Sequence, residues 1–98
     1  MKKIERVYVR DIVNKHGVPV YVYSLNTLRE SINEIKNLAP TVRYAMKACS
    51  NVRVLKEMLN NGIKIDAVSI FECQRAIRAG FNTKDICFTS DVFFNINE

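Results

Sequence analysis

Lys47 is the side chain of this 98-residue sequence whose type and setting most readily do chemistry. It lies in Tyr44-Ala45-Met46-Lys47-Ala48-Cys49-Ser50-Asn51. Thr41, Val42 and Tyr44 favour extended backbone, and Pro40 closes off the helical pattern before them, so residues 42–48 are predicted to form a strand. Side chains alternate across a strand. Ala45 and Lys47 therefore share one face, and Tyr44 and Met46 share the other, where the bulky pair would pack under helices. The first face offers a small residue and then one amine at the carboxyl end, the end at which parallel sheets bind ligands. An amine walled by apolar groups loses hydration, which disfavours its charged form and makes it a better nucleophile. Imine chemistry with an aldehyde is the use that suits it. A lysine that merely leaves the strand into solvent is the alternative, and the residues alone leave both open.

Other chemistries have less behind them. Cys49, Cys73 and Cys87 are odd in number, far apart and without a C-x-x-C pair, which argues against a zinc site and a disulfide framework. They are expected to be reduced, mostly buried thiols of a cytoplasmic protein. His16, the one histidine, sits beside Gly17 with no visible partner for metal or acid–base work and reads as a surface turn residue. Fifteen basic against ten acidic side chains leave a net charge of +5. The basic residues are scattered rather than clustered among aromatics, so no nucleic-acid partner is expected. No apolar run approaches the roughly 20 residues of a membrane span, and Met1-Lys2-Lys3-Ile4-Glu5-Arg6 lacks the apolar core of a signal peptide. At 48% hydrophobic and 26% charged, the composition is that of a globular chain, and the length allows one domain at most.

The elements around Lys47 must position it. Val9, Ile12 and Val13 predict a short helix over 9–15, with a strand through Val7 and Val9 as the alternative. His16-Gly17-Val18-Pro19 ends it, and Val20-Tyr21-Val22-Tyr23 is predicted as a strand. Leu25, Leu28, Ile32, Ile35 and Leu38 form a helical apolar stripe; Ser24, Asn26 and Thr27 offer caps for it, with Thr27-x-x-Glu30 as a capping box, and Pro40 closes it. A unit then repeats. Strand 42–48 leads through the cap Asn51 to a helix with Val54, Leu55, Met58 and Leu59 on one face, stopped at Gly62. Strand 63–69 leads through a Ser69-x-x-Glu72 capping box to a helix with Cys73, Ala76 and Ile77 inward, ended by Gly80 with Phe81 folding back. Strand 86–89 follows. The class is α/β, with parallel βαβαβ units and right-handed crossovers. They make either the first three units of a (β/α)8 barrel, which takes about 250 residues, or a small doubly wound sheet. The apolar tail Val92-Phe93-Phe94-Asn95-Ile96 has no element to pair with, so the chain is expected to be truncated.

Four segments carry a resemblance. Gly17-Val18-Pro19-Val20-Tyr21-Val22-Tyr23 is similar to G-T-P-L-Y-V-Y, and Tyr44 to Asn51 is similar to Y-A-V-K-A-N-x-N. Asp66, Ser69, Glu72, Arg75-Ala76 and Ala79-Gly80-Phe81 follow a D-x-x-S-x-x-E…RA…AGF pattern, and Ile86-Cys87-Phe88-Thr89 follows I-x-F-T. In this order and spacing, from Gly17 to Thr89, the chain resembles the N-terminal part of the pyridoxal-phosphate-dependent decarboxylases of fold type III, the alanine-racemase-like fold. The diaminopimelate decarboxylases are the nearest branch. Ile70-Phe71 departs from a glycine pair common in the family, and Cys49 stands where asparagine is commoner.

The resemblance implies that Lys47 forms a covalent imine with pyridoxal phosphate, and that Asp66 is a second cofactor-binding residue near it. Ser69 and Glu72 also match, but the capping box explains them. Residues 1–24 would be an N-terminal segment whose strand belongs to a C-terminal domain, and residues 25–98 a partial barrel domain. The implied activity is decarboxylation of meso-diaminopimelate to lysine, in a cytoplasmic protein with an amino-acid substrate and no nucleic-acid or membrane partner. Full-length relatives would be homodimers. An ornithine or arginine decarboxylase of the same fold, or a non-catalytic remnant, are the alternatives. The family's phosphate-gripping loop, the acidic partner of its ring nitrogen and its substrate-binding groups lie beyond the matched segments. The 98 residues alone are therefore expected to be inactive and loosely packed, with raw sheet edges open to aggregation.

Overall fold

A computed structural model describes residues 2–90, and the apolar tail lies outside them. The chain runs β1 (Lys3–Ile4), β2 (Val7–Tyr8), α1 (Val9–His16), α2 (Leu25–Lys36), β3 (Arg43–Ala45), α3 (Val52–Asn60), β4 (Lys64–Ala67), α4 (Ile70–Ala79), a 3-10 turn at Thr83–Asp85, and β5 (Ile86–Phe88). The strands β3, β4 and β5 form one parallel sheet in that order, the βαβαβ arrangement the sequence predicts.

Register divides this sheet into two faces. Tyr44 pairs with Ile65 and Ile65 with Ile86, while Ala45 pairs with Asp66 and Asp66 with Cys87. Partners in a ladder point to the same side, so each row belongs to one face. Met46, Ile65 and Ala67 are wholly buried, packed with Val54, Leu55 and Met58 of α3, Ala76 and Ala79 of α4, and Phe81. Burial of a large side chain such as Met46, Leu55 or Ile65 contributes about 1.5–3 kcal/mol. On the other face Ala45 and Cys87 are exposed. The helices α3 and α4 pack against each other, so both crossovers cover the same face. A doubly wound sheet would divide them between its faces; the one-sided cover is that of a (β/α) barrel.

The termini of the crossover helices follow from named residues. Asn51 caps α3, its Oδ1 accepting from the Arg53 N–H at 2.9 Å. Ser69 caps α4, its Oγ accepting from the Glu72 N–H at 3.2 Å. The Glu72 carboxylate reaches back to the Val68 N–H at 2.9 Å, one residue further than the usual capping box. Gly80 stops α4 at φ 114°, and a Cβ there would stand 3.0 Å from Leu59 Cδ2. Beyond it Phe81 folds back as predicted, its N–H donating to the Ala76 carbonyl at 3.1 Å.

Several expectations are corrected. Of the caps offered for α2, Ser24 is the one used, its Oγ accepting from the Thr27 N–H; Thr27 lies inside the helix, so the Thr27-x-x-Glu30 box does not open it. The Glu5 carboxylate takes the Ser24 hydroxyl at 2.9 Å and the Asn26 N–H at 2.8 Å, so residues distant in sequence satisfy this helix start. That backbone hydrogen bond, ahead of the hydroxyl, holds the Glu5 carboxyl below the usual range. Of the α2 stripe only Ile32 is buried; Leu38 lies past the helix, 83% exposed. Residues 20–23, read as a strand, join no ladder among the described residues, because β-propensity without a neighbouring strand makes none. The β1–β2 hairpin was absent from the sequence reading: its turn residues Glu5 and Arg6 both have positive φ, a conformation that asparagine and glycine usually signal. Ile77 points outward, and the small Ala76 and Ala79 make the inner contact of α4. The cysteines are less buried than expected, with Cys49 and Cys73 half-buried and Cys87 exposed.

One ion pair ties α2 to α3. Arg29 Nε and Nη2 grip Glu57 Oε2 and Oε1 at 3.0 and 2.7 Å, and Glu57 is buried. The hydrogen bond from Arg29 holds the Glu57 carboxyl below its ordinary value of 4.5 and raises Arg29 in turn. A carboxyl depressed by folding stabilises the fold above its unfolded pKa, and that stability is lost as pH falls through the lower folded value. We expect an NMR titration to place Glu57 below free glutamate, and Arg29→Met to move its midpoint upward; an unchanged midpoint would contradict the pairing. The sheet yields a second expectation. Strands β3 and β5 are each paired on one side only among the described residues, leaving backbone groups open. The 98-residue polypeptide should therefore self-associate between micromolar and millimolar concentration, and sedimentation showing one unchanging monomer would refute this.

Candidate functional site

The strands deliver their chemistry-bearing residues to the helix-free face and to the carboxyl end of the sheet. Lys47 lies in the turn that follows β3 rather than in the strand itself, and it is exposed. The expected apolar walls are thus not around it among the described residues, and its side chain makes no ion pair or hydrogen bond with them. The predicted alternation nevertheless holds up to the turn: Tyr44 is partly buried and Met46 wholly so, while Ala45 and Lys47 are exposed.

Asp66 is the third residue of β4, in register with Ala45. Its backbone carbonyl accepts from the Met46 N–H at 3.3 Å, so the ladder continues one residue into the lysine turn. The side chain carries an anomaly: Oδ1 is buried and has no hydrogen-bond partner. An unsatisfied buried acceptor costs about 1–3 kcal/mol, and an amine or ring N–H at this position would relieve it. The structure places Lys47 and Asp66 at the same end of adjacent strands, but it does not join them in an ion pair.

Other residues shape the turn and were missed by the sequence reading. The Tyr44 hydroxyl donates to the Cys49 carbonyl at 2.8 Å, spanning the turn. Burial, more than the neighbouring Cys49, pushes the Tyr44 phenol above its ordinary value, so it stays a donor at neutral pH. Tyr23 reaches the same turn, and its hydrogen bond to the Cys49 side chain raises its phenol too. Arg75 of α4 donates to Ser50 Oγ at 3.0 Å, above a shallow hollow shared with Phe71 and Glu72. Tyrosines at 23 and 44 were legible only as strand formers; nothing in their spacing announces that both meet Cys49. Ser69 and Glu72 serve as caps, as predicted. Burial pushes the Cys73 thiol up, which keeps it protonated and inert. Among the described residues no cluster of His, Cys, Asp or Glu could hold a metal ion, and no helix is long and apolar enough to cross a membrane.

Comparison with known proteins bears on this arrangement. The chain is similar to diaminopimelate decarboxylase of Escherichia coli K12, with 44% identity over 80 residues, covering 78% of this chain and 19% of that protein. The enzyme of the same name from Buchnera aphidicola of Acyrthosiphon pisum is 37% identical over 86 residues, or 86% of this chain and 20% of the relative. A crystal structure of a diaminopimelate decarboxylase superposes with a TM-score of 0.79 at 39% identity, over 88% of this chain and 21% of that one. The chain thus spans about a fifth of the length of the relatives it matches. The family described as pyridoxal-dependent decarboxylase, pyridoxal binding domain, matches residues 25–93, from the start of α2 past the end of β5. With the three-stranded parallel sheet, its one-sided helical cover and Lys47 at its carboxyl end, this chain belongs to the pyridoxal-binding domain of the pyridoxal-dependent decarboxylases.

Proposed function

We propose that the chain is part of a pyridoxal-phosphate-dependent decarboxylase of diaminopimelate, in which Lys47 holds the cofactor covalently and Asp66 orients it. The observation that carries this reading is the unpartnered, buried Asp66 Oδ1 on the strand next to the turn bearing Lys47. The donor set suits the group: an exposed amine to join an aldehyde, and a carboxylate to accept a hydrogen bond from nitrogen. When bound, pyridoxal phosphate supplies an electron sink for the carbon that loses its carboxylate. Of the protein's own groups, Lys47 Nζ must shed a proton to bond the aldehyde. Asp66 Oδ1 would hold that nitrogen by a hydrogen bond, and the small Ala45, the last residue of β3 and in register with Asp66, leaves room over the sheet. The names of the relatives support diaminopimelate as substrate. Three cysteines free of disulfides suit a reducing, cytoplasmic setting, and a homodimer of the whole protein belongs to the same reading.

Two experiments test it. Borohydride treatment of the polypeptide with pyridoxal phosphate should label Lys47 ahead of the other lysines on peptide mapping, and Asp66→Asn should reduce that preference. Preferential labelling elsewhere would remove the basis for the site. A hybrid carrying residues 17–90 in place of the matching segment of the Escherichia coli enzyme should release labelled carbon dioxide from meso-diaminopimelate. Lys47→Ala in that hybrid should lower the rate about 10²-fold or more. A hybrid that turns over equally well without Lys47 would sink the proposal.

A further inference from the structure

The turn that carries Lys47 is held at every residue around the lysine but not at its side chain. Met46, just before it, is wholly buried, and its N–H donates to the Asp66 carbonyl at 3.3 Å. Ala48, just after it, donates to the Ala45 carbonyl at 3.2 Å. Both bonds sit at the long end of the N–H···O range and are correspondingly weak. The shortest bond of the turn is the one from the Tyr44 hydroxyl to the Cys49 carbonyl, at 2.8 Å. It starts on a ring packed against the core, so its donor cannot swing away, and it ends two residues beyond the lysine. Packing alone does not require that hydroxyl, since a phenyl ring would fill the same place. Its one hydrogen bond spans the segment whose only outward-reaching long side chain is Lys47.

We propose that the Tyr44 hydroxyl is a positioning group for Lys47: by donating to the Cys49 carbonyl it closes the turn and sets where the amine stands. This rests on the reading that Lys47 is the residue that joins the cofactor. Tyr44 touches no reacting atom and acts only through the backbone of residues 45–49. Losing one such neutral bond should change the opening of the turn about fivefold.

The test compares the 98-residue polypeptide with its Tyr44→Phe variant at low micromolar concentration. Amide exchange at Ala48, resolved by fragmentation mass spectrometry, should be about fivefold faster in the variant, while Ile65 and Ala67 in the central strand keep their protection. The borohydride-trapped share of pyridoxal phosphate at Lys47, relative to the other lysines, should fall severalfold. Placing 4-aminophenylalanine at position 44, which restores an N–H donor on the same ring, should recover both. Unchanged Ala48 exchange overturns the proposal whatever the labelling shows. Faster exchange with unchanged Lys47 labelling overturns it too, because the bond would then be structural only. Either of those results leaves the cofactor reading intact. If the unsubstituted chain shows no preference for Lys47, the cofactor reading and this inference both fall. Should Tyr44→Phe lose protection at Ile65 and Ala67, the comparison is made between the unsubstituted chain and the 4-aminophenylalanine form, and a Lys47 preference that survives a lost Ala48 protection overturns the proposal.

Discussion

Strand β4 is the constraint on which the rest of the structure depends. Among the described residues it is the one strand of the parallel sheet paired on both sides, with β3 and β5 as its neighbours. Its four residues alternate strictly: Ile65 and Ala67 are wholly buried beneath α3 and α4, and Lys64 and Asp66 are not. A slip of one residue would carry Asp66 into the helix layer and lift Ile65 onto the open face, reversing every side chain of the strand. The apolar burial of Ile65 and Ala67 therefore decides where the Asp66 carboxylate goes. The ladder passes this decision outward, through the Met46 N–H to Asp66 and the Thr89 N–H to the Ala67 carbonyl at 2.8 Å.

The two ends of this sheet use charge differently. At the amino end, Arg43 donates to the carbonyls of Ile65 and Asp85, both at 3.2 Å, and Lys64 pairs with the Asp85 carboxylate at 3.5 Å. Those cations lace the strand starts and the 3-10 turn together. At the carboxyl end Lys47 is engaged by no described residue, and Asp66 keeps a buried oxygen unsatisfied. Charge spent on structure at one end and left available at the other is the division expected of a (β/α) sheet, whose ligands meet the carboxyl ends of the strands.

Polar contacts also join the layers that apolar packing leaves loose. The helix α2 buries only Ile32 fully, so its attachment relies on the Arg29–Glu57 grip to α3 and on Glu5 at its amino end. The Glu5 carboxylate sits where the first N–H groups of α2 lack intrahelical partners and where the helix dipole favours a negative charge. The hairpin that presents Glu5 holds two residues at positive φ, and its carboxylate contact with α2 helps to keep it there.

Much of this was legible in the sequence, for reasons that are local. Alternation in residues 42–48 foretold that Tyr44 and Met46 would turn to the helices and Ala45 and Lys47 away from them, because a strand's period of two leaves no other choice. Asn51, Ser69 with Glu72, and Gly80 with Phe81 announced the ends of α3 and α4, because caps are made within a few residues. The motif around Lys47 pointed to the lysine, and the same motifs pointed to the family. What depends on distant partners was not legible. Residues 20–23 have strand propensity but meet no neighbouring strand among the described residues, and the cap of α2 involves Glu5, far back in the chain. The choice between barrel-like and doubly wound cover rests on which face α3 and α4 share. The setting of Lys47 was likewise decided by the tertiary structure: the strand stops at Ala45, and the lysine stands in a turn tied by Tyr44 and Cys49. Propensity and spacing act along the chain over a few residues, whereas hydration, pairing and the reach of a hydroxyl are settled only when separate segments meet.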